Sequence, residues 1–310
     1  MSPAPHSNRW WVYQRERFPV FAHGVLILAF SASAVSFSAM LRGAASVPTL
    51  PSLVVAFLCS FLSFLHLRIA DEFKDLEDDT RHRPYRPVPR GLVTLRELGA
   101  IGVGGAVIQL LLALWLQPAL LLFLFVTWTY LALMSREFFV GTWLKARPIM
   151  YLWTHMLIMP LIDFFAAACD WSVSGAHEPP PGIFLFVVVS FFNGCIIEIG
   201  RKIRSPADEE PGVSTYSVLW GGGRAAFVWL GILFLTGLVA CVAADLIGML
   251  RPALFVLGSA FVLAAVLAIG FALNPQRIRG KWVEAFSGIW TLVLYIVLGA
   301  GPMLARLLFP

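Results

Sequence analysis

Residues 68–91 read R-I-A-D-E-F-K-D-L-E-D-D-T-R-H-R-P-Y-R-P-V-P-R-G, directly after an apolar run long enough to cross a bilayer. Asp71, Asp75 and Asp79 stand four residues apart. On a helix each such step turns by only about 40°, so the spacing puts three carboxylates on one flank, climbing about 12 Å. Like charges stacked this way repel, and a divalent cation among them relieves the repulsion. Ligands that are all oxygen suit Mg²⁺, which is usually held by a few carboxylates and substrate phosphates. The alternative is a solvated loop between two spans. The basic half then supplies Arg81, Arg83, Arg86 and Arg90, stiffened by Pro84, Pro87 and Pro89. Proline forbids a continuing helix, so an ordered turn is expected here. Guanidiniums are planar, bidentate phosphate donors, and carboxylates beside them make a plausible diphosphate site.

Working outward, 59% of the 310 residues are hydrophobic and 13% charged, with a mean hydropathy of +0.79. A soluble domain carries about 25% charged residues, so an all-α polytopic membrane protein is expected. The net charge of +5 would suggest nucleic acid in a soluble chain. Here it reflects basic loops on one membrane face, and no nucleic-acid partner is expected. Cys59, Cys169, Cys195 and Cys241 show no C-x-x-C pairing and read as small core residues.

Apolar runs of spanning length fall at about 18–41, 48–70, 94–116, 118–135, 148–169, 182–200, 225–248, 252–273 and 282–305. These predict a nine-helix bundle in a single domain, residues 18–310, behind a cytoplasmic tail, residues 1–17. Only helix satisfies the backbone of such long runs inside lipid. With the N-terminus inside, 20 Lys and Arg fall on the cytoplasmic side and three (Arg42, Arg251, Arg306) on the other, which sets the orientation. His23, His66, Arg68, His155, Asn193, Glu198 and Glu284 all fall in the cytoplasmic halves of their spans. Polar groups in a membrane are costly, and these would ring a chamber below the acidic segment, though each could equally be an interhelical hydrogen bond. Asp163 and Asp245 lie nearer the far side and read as structural.

The Asp71-x-x-x-Asp75-x-x-x-Asp79 spacing, followed by Arg86-Pro87-Val88-Pro89-Arg90-Gly91, resembles the UbiA superfamily of intramembrane prenyltransferases. The resemblance departs at Asp71, where that family usually has Asn. It implies nine helices around a lipid-open chamber, acidic motifs after the second and sixth helices on the cytoplasmic side, and Mg²⁺ as cofactor. Gly212-Val213-Ser214-Thr215 matches the end of the second motif and aligns Asp208 with its last acid, but Arg204 stands where Asp is usual. The resemblance thus implies metal ligation by Asp71, Asp75 and Asp79, assisted by Glu198, Asp208 and Glu209. It implies diphosphate binding by Arg68, Arg86, Lys145, Arg147, Arg201 and Lys202. Arg201, Lys202 and Arg204 replacing a second metal is the alternative at the second motif, as is a merely topogenic basic loop.

The expected reaction ionises an isoprenoid diphosphate and transfers the prenyl group to a lipophilic or aromatic acceptor, in the cell (inner) membrane, with membrane lipid as surroundings. A terpene cyclase of the same fold shares the ionisation and remains the alternative. A transporter would place its ionisable groups near the midplane within repeated halves, and this chain does neither.

Overall fold

A computed structural model describes residues 8–44, 47–276 and 278–308. Residues 1–7 of the expected tail, Arg277, and Phe309 and Pro310 at the terminus lie outside the described residues. Among the described residues the fold is entirely helical. A short helix, α1 (Arg9–Arg17), precedes α2 (Val20–Leu41) and α3 (Leu50–Lys74). After α4 (Leu76–His82) come α5 (Leu95–Leu116), α6 (Leu120–Ser135) and the short α7 (Gly141–Lys145). Helices α8 (Pro148–Met156) and α9 (Ile158–Trp171) form one bent span, followed by α10 (Ile183–Arg201). The chain then runs through α11 (Tyr216–Trp220), α12 (Gly222–Asp245) and α13 (Leu250–Leu273). The last span is α14 (Gly280–Tyr295), a π-helical turn at Ile296–Ala300, and α15 (Gly301–Leu308).

Among the described residues, eight helical stretches are long and apolar enough to cross a membrane. The ninth expected span, α6, is apolar but 16 residues long, or about 24 Å against a hydrocarbon core of about 30 Å. It stops because Glu137, Phe138 and Phe139 turn left-handed, with φ of 48°, 53° and 61°. The bend between α8 and α9 also follows from sequence. Pro160 has no N–H to offer the carbonyl of Met156, so the ladder breaks there.

Local signals mark the other ends. Thr94 and Glu97 form a reciprocal capping box at α5, and Thr49 caps α3 with Pro51 in its first turn. In the core, α2 packs on α3 and α9, and α10 packs on α9, α12 and α14. Trp229, Trp290, Phe37 and Phe186 are fully buried, the last two stacked at 4.9 Å. On the face away from the acidic segment, Arg42 donates to both oxygens of Asp170 at 2.8 and 3.0 Å, and Ser38 adds a third bond. The segment expected as a tail is therefore folded from Arg9 onward. Its Tyr13 is buried, and its Trp10 and Trp11 roof an apolar groove of about 420 Å³ with Phe18, Phe61, Leu65 and Leu98.

Candidate active site at the charged face

The backbone ladder runs on through the acidic segment. Asp75 N–H bonds the carbonyl of Asp71 at 2.9 Å, and Asp79 N–H that of Asp75 at 2.8 Å. The helical spacing holds, yet the three carboxylates meet different fates. Asp71 lies 3.6 Å from Arg68 and 3.8 Å from Lys74. Asp75, at the junction of α3 and α4, is half-buried and its carboxylate has no hydrogen bond or ion pair among the described residues. Burial pushes its carboxyl above the usual range; Lys74 opposes this, while Asp71 and Asp79 add to it. Asp79 is buried and saturated. Arg83 reaches it at 2.7 Å, Arg86 spans both its oxygens at 2.7 and 2.9 Å, and Arg17 lies 4.0 Å away.

This arrangement differs from the expectation for two residues. Asp79 is a structural hub with no open oxygen, and Arg86 is committed to it. The physical reason lies in the turn. Arg86 N–H bonds Arg83 O, Leu92 N–H bonds Pro87 O, and Gly91 takes φ of 76°, so the prolines fold the basic segment back over Asp79. Arg17 completes the cluster from α1 by pairing with the buried Glu72. Three of these charges, on Arg17, Glu72 and Asp79, are nearly withdrawn from water, which only mutual pairing makes tolerable.

The second segment is assembled otherwise. Glu198, near the end of α10, is held by Arg201 at 2.6 Å and Lys202 at 2.8 Å. Asp208 sits exposed on the Pro206–Asp208 turn, where its carbonyl accepts from Arg204 at 3.3 Å. Glu209 accepts from Thr215 at 2.8 Å, and Glu210 from both Arg204 and Tyr85 at 2.9 Å. Glu198, Asp208 and Glu209 are thus not brought together. Among the described residues no group of three or more His, Cys, Asp and Glu side chains is placed to hold a metal. Proline at 206 starts a separate turn, and Arg204 turns towards Glu210, so ten residues of intervening chain do not fold back.

The expected chamber residues also separate. His66 Nε2 bonds Gly102 O at 2.9 Å, joining α3 to α5. His23 packs edge-on against Phe18 at 4.7 Å. Asn193 accepts from Thr291 at 3.1 Å, near the buried Asp163–Tyr295–Ser190 hydrogen bonds. His155 does face the charged end: it stacks on Tyr151 at 3.9 Å and its Nδ1 donates to Tyr151 O at 2.9 Å. Lys145 is exposed and 3.6 Å from Glu137, and Arg147 lies over Trp143 at 4.4 Å. Neither touches Asp71, Asp75 or Glu198.

Reading the sequence missed Lys74, Tyr151 and Tyr216. Lys74 Nζ donates to Tyr151 Oη at 3.1 Å, bridging α3 to α8 beside Asp71 and Asp75. Lys202 lies over the Tyr216 ring at 5.8 Å. The signal for Lys74 was its place between two acids. No sequence signal pointed to Tyr151. The geometry at the charged face is an adjacent pair of carboxylates, Asp71 beside Arg68 and Lys74 and Asp75 unpaired, at one end of a helical bundle. Such a place can hold a polyanion together with one divalent cation.

The model of the UbiA prenyltransferase family matches residues 29–292, and the chain belongs to that family, whose members are intramembrane prenyltransferases. Among solved structures, an apo UbiA homologue from Aeropyrum pernix K1 superposes with a TM-score of 0.67 at 17% identity, covering 91% of this chain and 97% of its own. A digeranylgeranylglyceryl phosphate synthase superposes with a TM-score of 0.59 at 13% identity, over 95% and 99%. A UbiA homologue from Archaeoglobus fulgidus, bound to DMAPP and Mg²⁺, gives a TM-score of 0.56 at 13% identity, over 92% and 98%. No curated protein matches the sequence. At these identities the likeness is one of fold.

Proposed function

We propose that this chain is a Mg²⁺-dependent prenyltransferase that ionises an isoprenoid diphosphate at the cytoplasmic face of the cell membrane and transfers the prenyl group to a lipophilic or aromatic acceptor. The observation that carries the reading is the Asp71–Asp75 pair, with the Asp75 oxygens unengaged, beside Lys74, and with Arg201 within electrostatic reach of Asp71. The donor set fits Mg²⁺: two carboxylates on successive turns, completed by diphosphate oxygens and water, match its hard-oxygen preference. Asp71 and Asp75 would hold the ion. When bound it supplies Lewis-acid stabilisation of the leaving diphosphate. The A. fulgidus homologue with DMAPP and Mg²⁺ supports the cofactor and the substrate class, and the excess of Lys and Arg on one side supports the orientation.

The chain's own residues do the rest. Arg68, Arg201 and Lys202 orient the diphosphate and stabilise the negative charge that grows as the allylic C–O bond breaks with both electrons going to oxygen. Arg201 and Lys202 reach it by exchanging part of their contact with Glu198. Lys145, the last residue of α7, and Arg147, which precedes α8, would approach the diphosphate from the connection between α6 and α8. An electron pair of the acceptor forms the new bond, and the acceptor releases a proton.

The test is incubation of the purified protein with Mg²⁺ and prenyl diphosphates of several lengths, with and without lipid and aromatic acceptors, followed by mass spectrometry. Prenylated acceptor together with diphosphate is expected. A cyclised hydrocarbon formed without acceptor identifies a terpene cyclase. No consumption of any diphosphate overturns the reading.

A further inference from the structure

We propose that this site takes a single divalent cation, at Asp71 and Asp75, and that Lys74, with Arg201 and Lys202, supplies the positive charge that a second ion would otherwise bring to the diphosphate. The inference rests on the diphosphate reading above and deepens it. Three observations converge.

The first is the state of the second acidic segment. Glu198 is its one carboxylate at the charged end of α10, and it already carries Arg201 at 2.6 Å and Lys202 at 2.8 Å. Glu198, Arg201 and Lys202 together carry one net positive charge, with Asp71 and Glu284 the further carboxylates that act on Arg201. A dication there meets net repulsion, and displacing the two side chains leaves them to be re-paired. Asp208 is exposed on a separate turn, Glu209 is bonded to Thr215, and Glu210 to Arg204 and Tyr85, so none relieves that repulsion. Metal ligands of the hard-oxygen kind are needed in numbers, and this end has too few.

The second is how Lys74 is held. Its ammonium lies between Asp71 Oδ1 at 3.8 Å and Tyr151 Oη at 3.1 Å, and 5.7 Å above the Tyr151 ring centre. A lysine on a helix end normally extends into water, at little cost in entropy. Here Tyr151, on a different span, fixes it, and His155 stacked behind fixes Tyr151. The tether does not depend on either carboxylate being free. The ammonium therefore keeps its position when Asp71 turns to a metal ion.

The third is the surviving acidic pair. Asp79 and Glu72 are neutralised within the Arg17–Arg83–Arg86 cluster. Asp71 and Asp75 remain as adjacent carboxylates able to take a cation, with Glu284 of α14 set apart beside Arg201, and two carboxylates with phosphate oxygens suffice for one Mg²⁺.

The decisive experiment counts ions on the full chain in detergent, using Mn²⁺ as the paramagnetic probe and an unreactive thiolo-diphosphate analogue of a prenyl diphosphate. One tightly held Mn²⁺ per chain in the presence of the analogue is expected. Lys74→Gln should keep that ion but weaken analogue binding about tenfold, the worth of one charge-assisted contact. Lys74→Arg should restore affinity to within about threefold, because it restores the charge. Two Mn²⁺ per wild-type chain, or unchanged analogue affinity in Lys74→Gln, overturns the proposal. Wild-type chain that binds Mn²⁺ but no analogue overturns the diphosphate reading itself, and the inference with it.

Discussion

The two acidic segments of this protein occupy equivalent places, each following a helix of membrane-spanning length, and they have gone opposite ways. The first, at the end of α3, leaves Asp75 without a protein partner and half-buried. In the second, Glu198, Glu209 and Glu210 are each bonded to a neighbour, and Asp208 is turned out to solvent. A carboxylate kept unpaired in a partly buried place is a cost that folding alone has no reason to keep. A carboxylate already neutralised serves by what it orients. On the reading proposed above, the cation belongs to the first segment and the second holds Arg201 and Lys202.

The most damaging change expected lies in neither segment's open chemistry but in the cluster that supports the first. Arg17→Met leaves Glu72 buried without its partner and removes one cation from beside Asp79. A loss of about 3 kcal/mol is expected, read as a large drop in melting temperature in detergent. Asp79→Asn should behave similarly, stranding Arg83 and Arg86, whereas a variant that melts like wild type would return Asp79 to the list of metal ligands.

Next in size is Asp75→Asn, which should lower turnover by about 10² to 10³ without lowering the melting temperature, because that carboxylate's charge is opposed by its surroundings. Product formation under saturating Mg²⁺ measures the first effect and a thermal melt the second. Glu198→Gln should cost about tenfold, seen as a raised KM for the diphosphate with an unchanged Mg²⁺ requirement, since only the aim of Arg201 and Lys202 is lost. If Asp75→Asn and Glu198→Gln prove equal in size and in metal dependence, the contrast between the segments disappears.

The smallest expected effect is on the latch between the segments, where Tyr85 and Arg204 both donate to Glu210. Burial alone would raise the Glu210 carboxyl, but these bonds hold it below the usual range. A depressed folded value means the contribution is in place above the ordinary glutamate range of about 4.3 and fades as pH falls through the lower folded value. Protection of the amides in residues 83–90 and 204–216, taken relative to the intrinsic exchange rate at each pH, should therefore fall below about pH 4 and fall at neutral pH in Glu210→Gln. Equal protection at both pH values would break the latch. Asp208→Asn should change turnover less than about twofold, the level of an ordinary exposed site.

The fold was legible because its cause is local. Spanning length and apolarity are sums over neighbouring residues, and the lipid leaves the backbone no alternative to helix. The bend at Pro160 and the cap at Thr94 are local for the same reason, and so is the four-residue spacing of Asp71, Asp75 and Asp79. The partners of those charges are not local. That Arg17 from α1 would cross to Glu72, that Arg86 would fold back on Asp79, and that Tyr151 would fix Lys74 depends on which helices lie side by side. A carboxylate's role is set by the charge nearest to it in space. Sequence therefore determined which residues could do the chemistry, and only packing decided which of them were left free to do it.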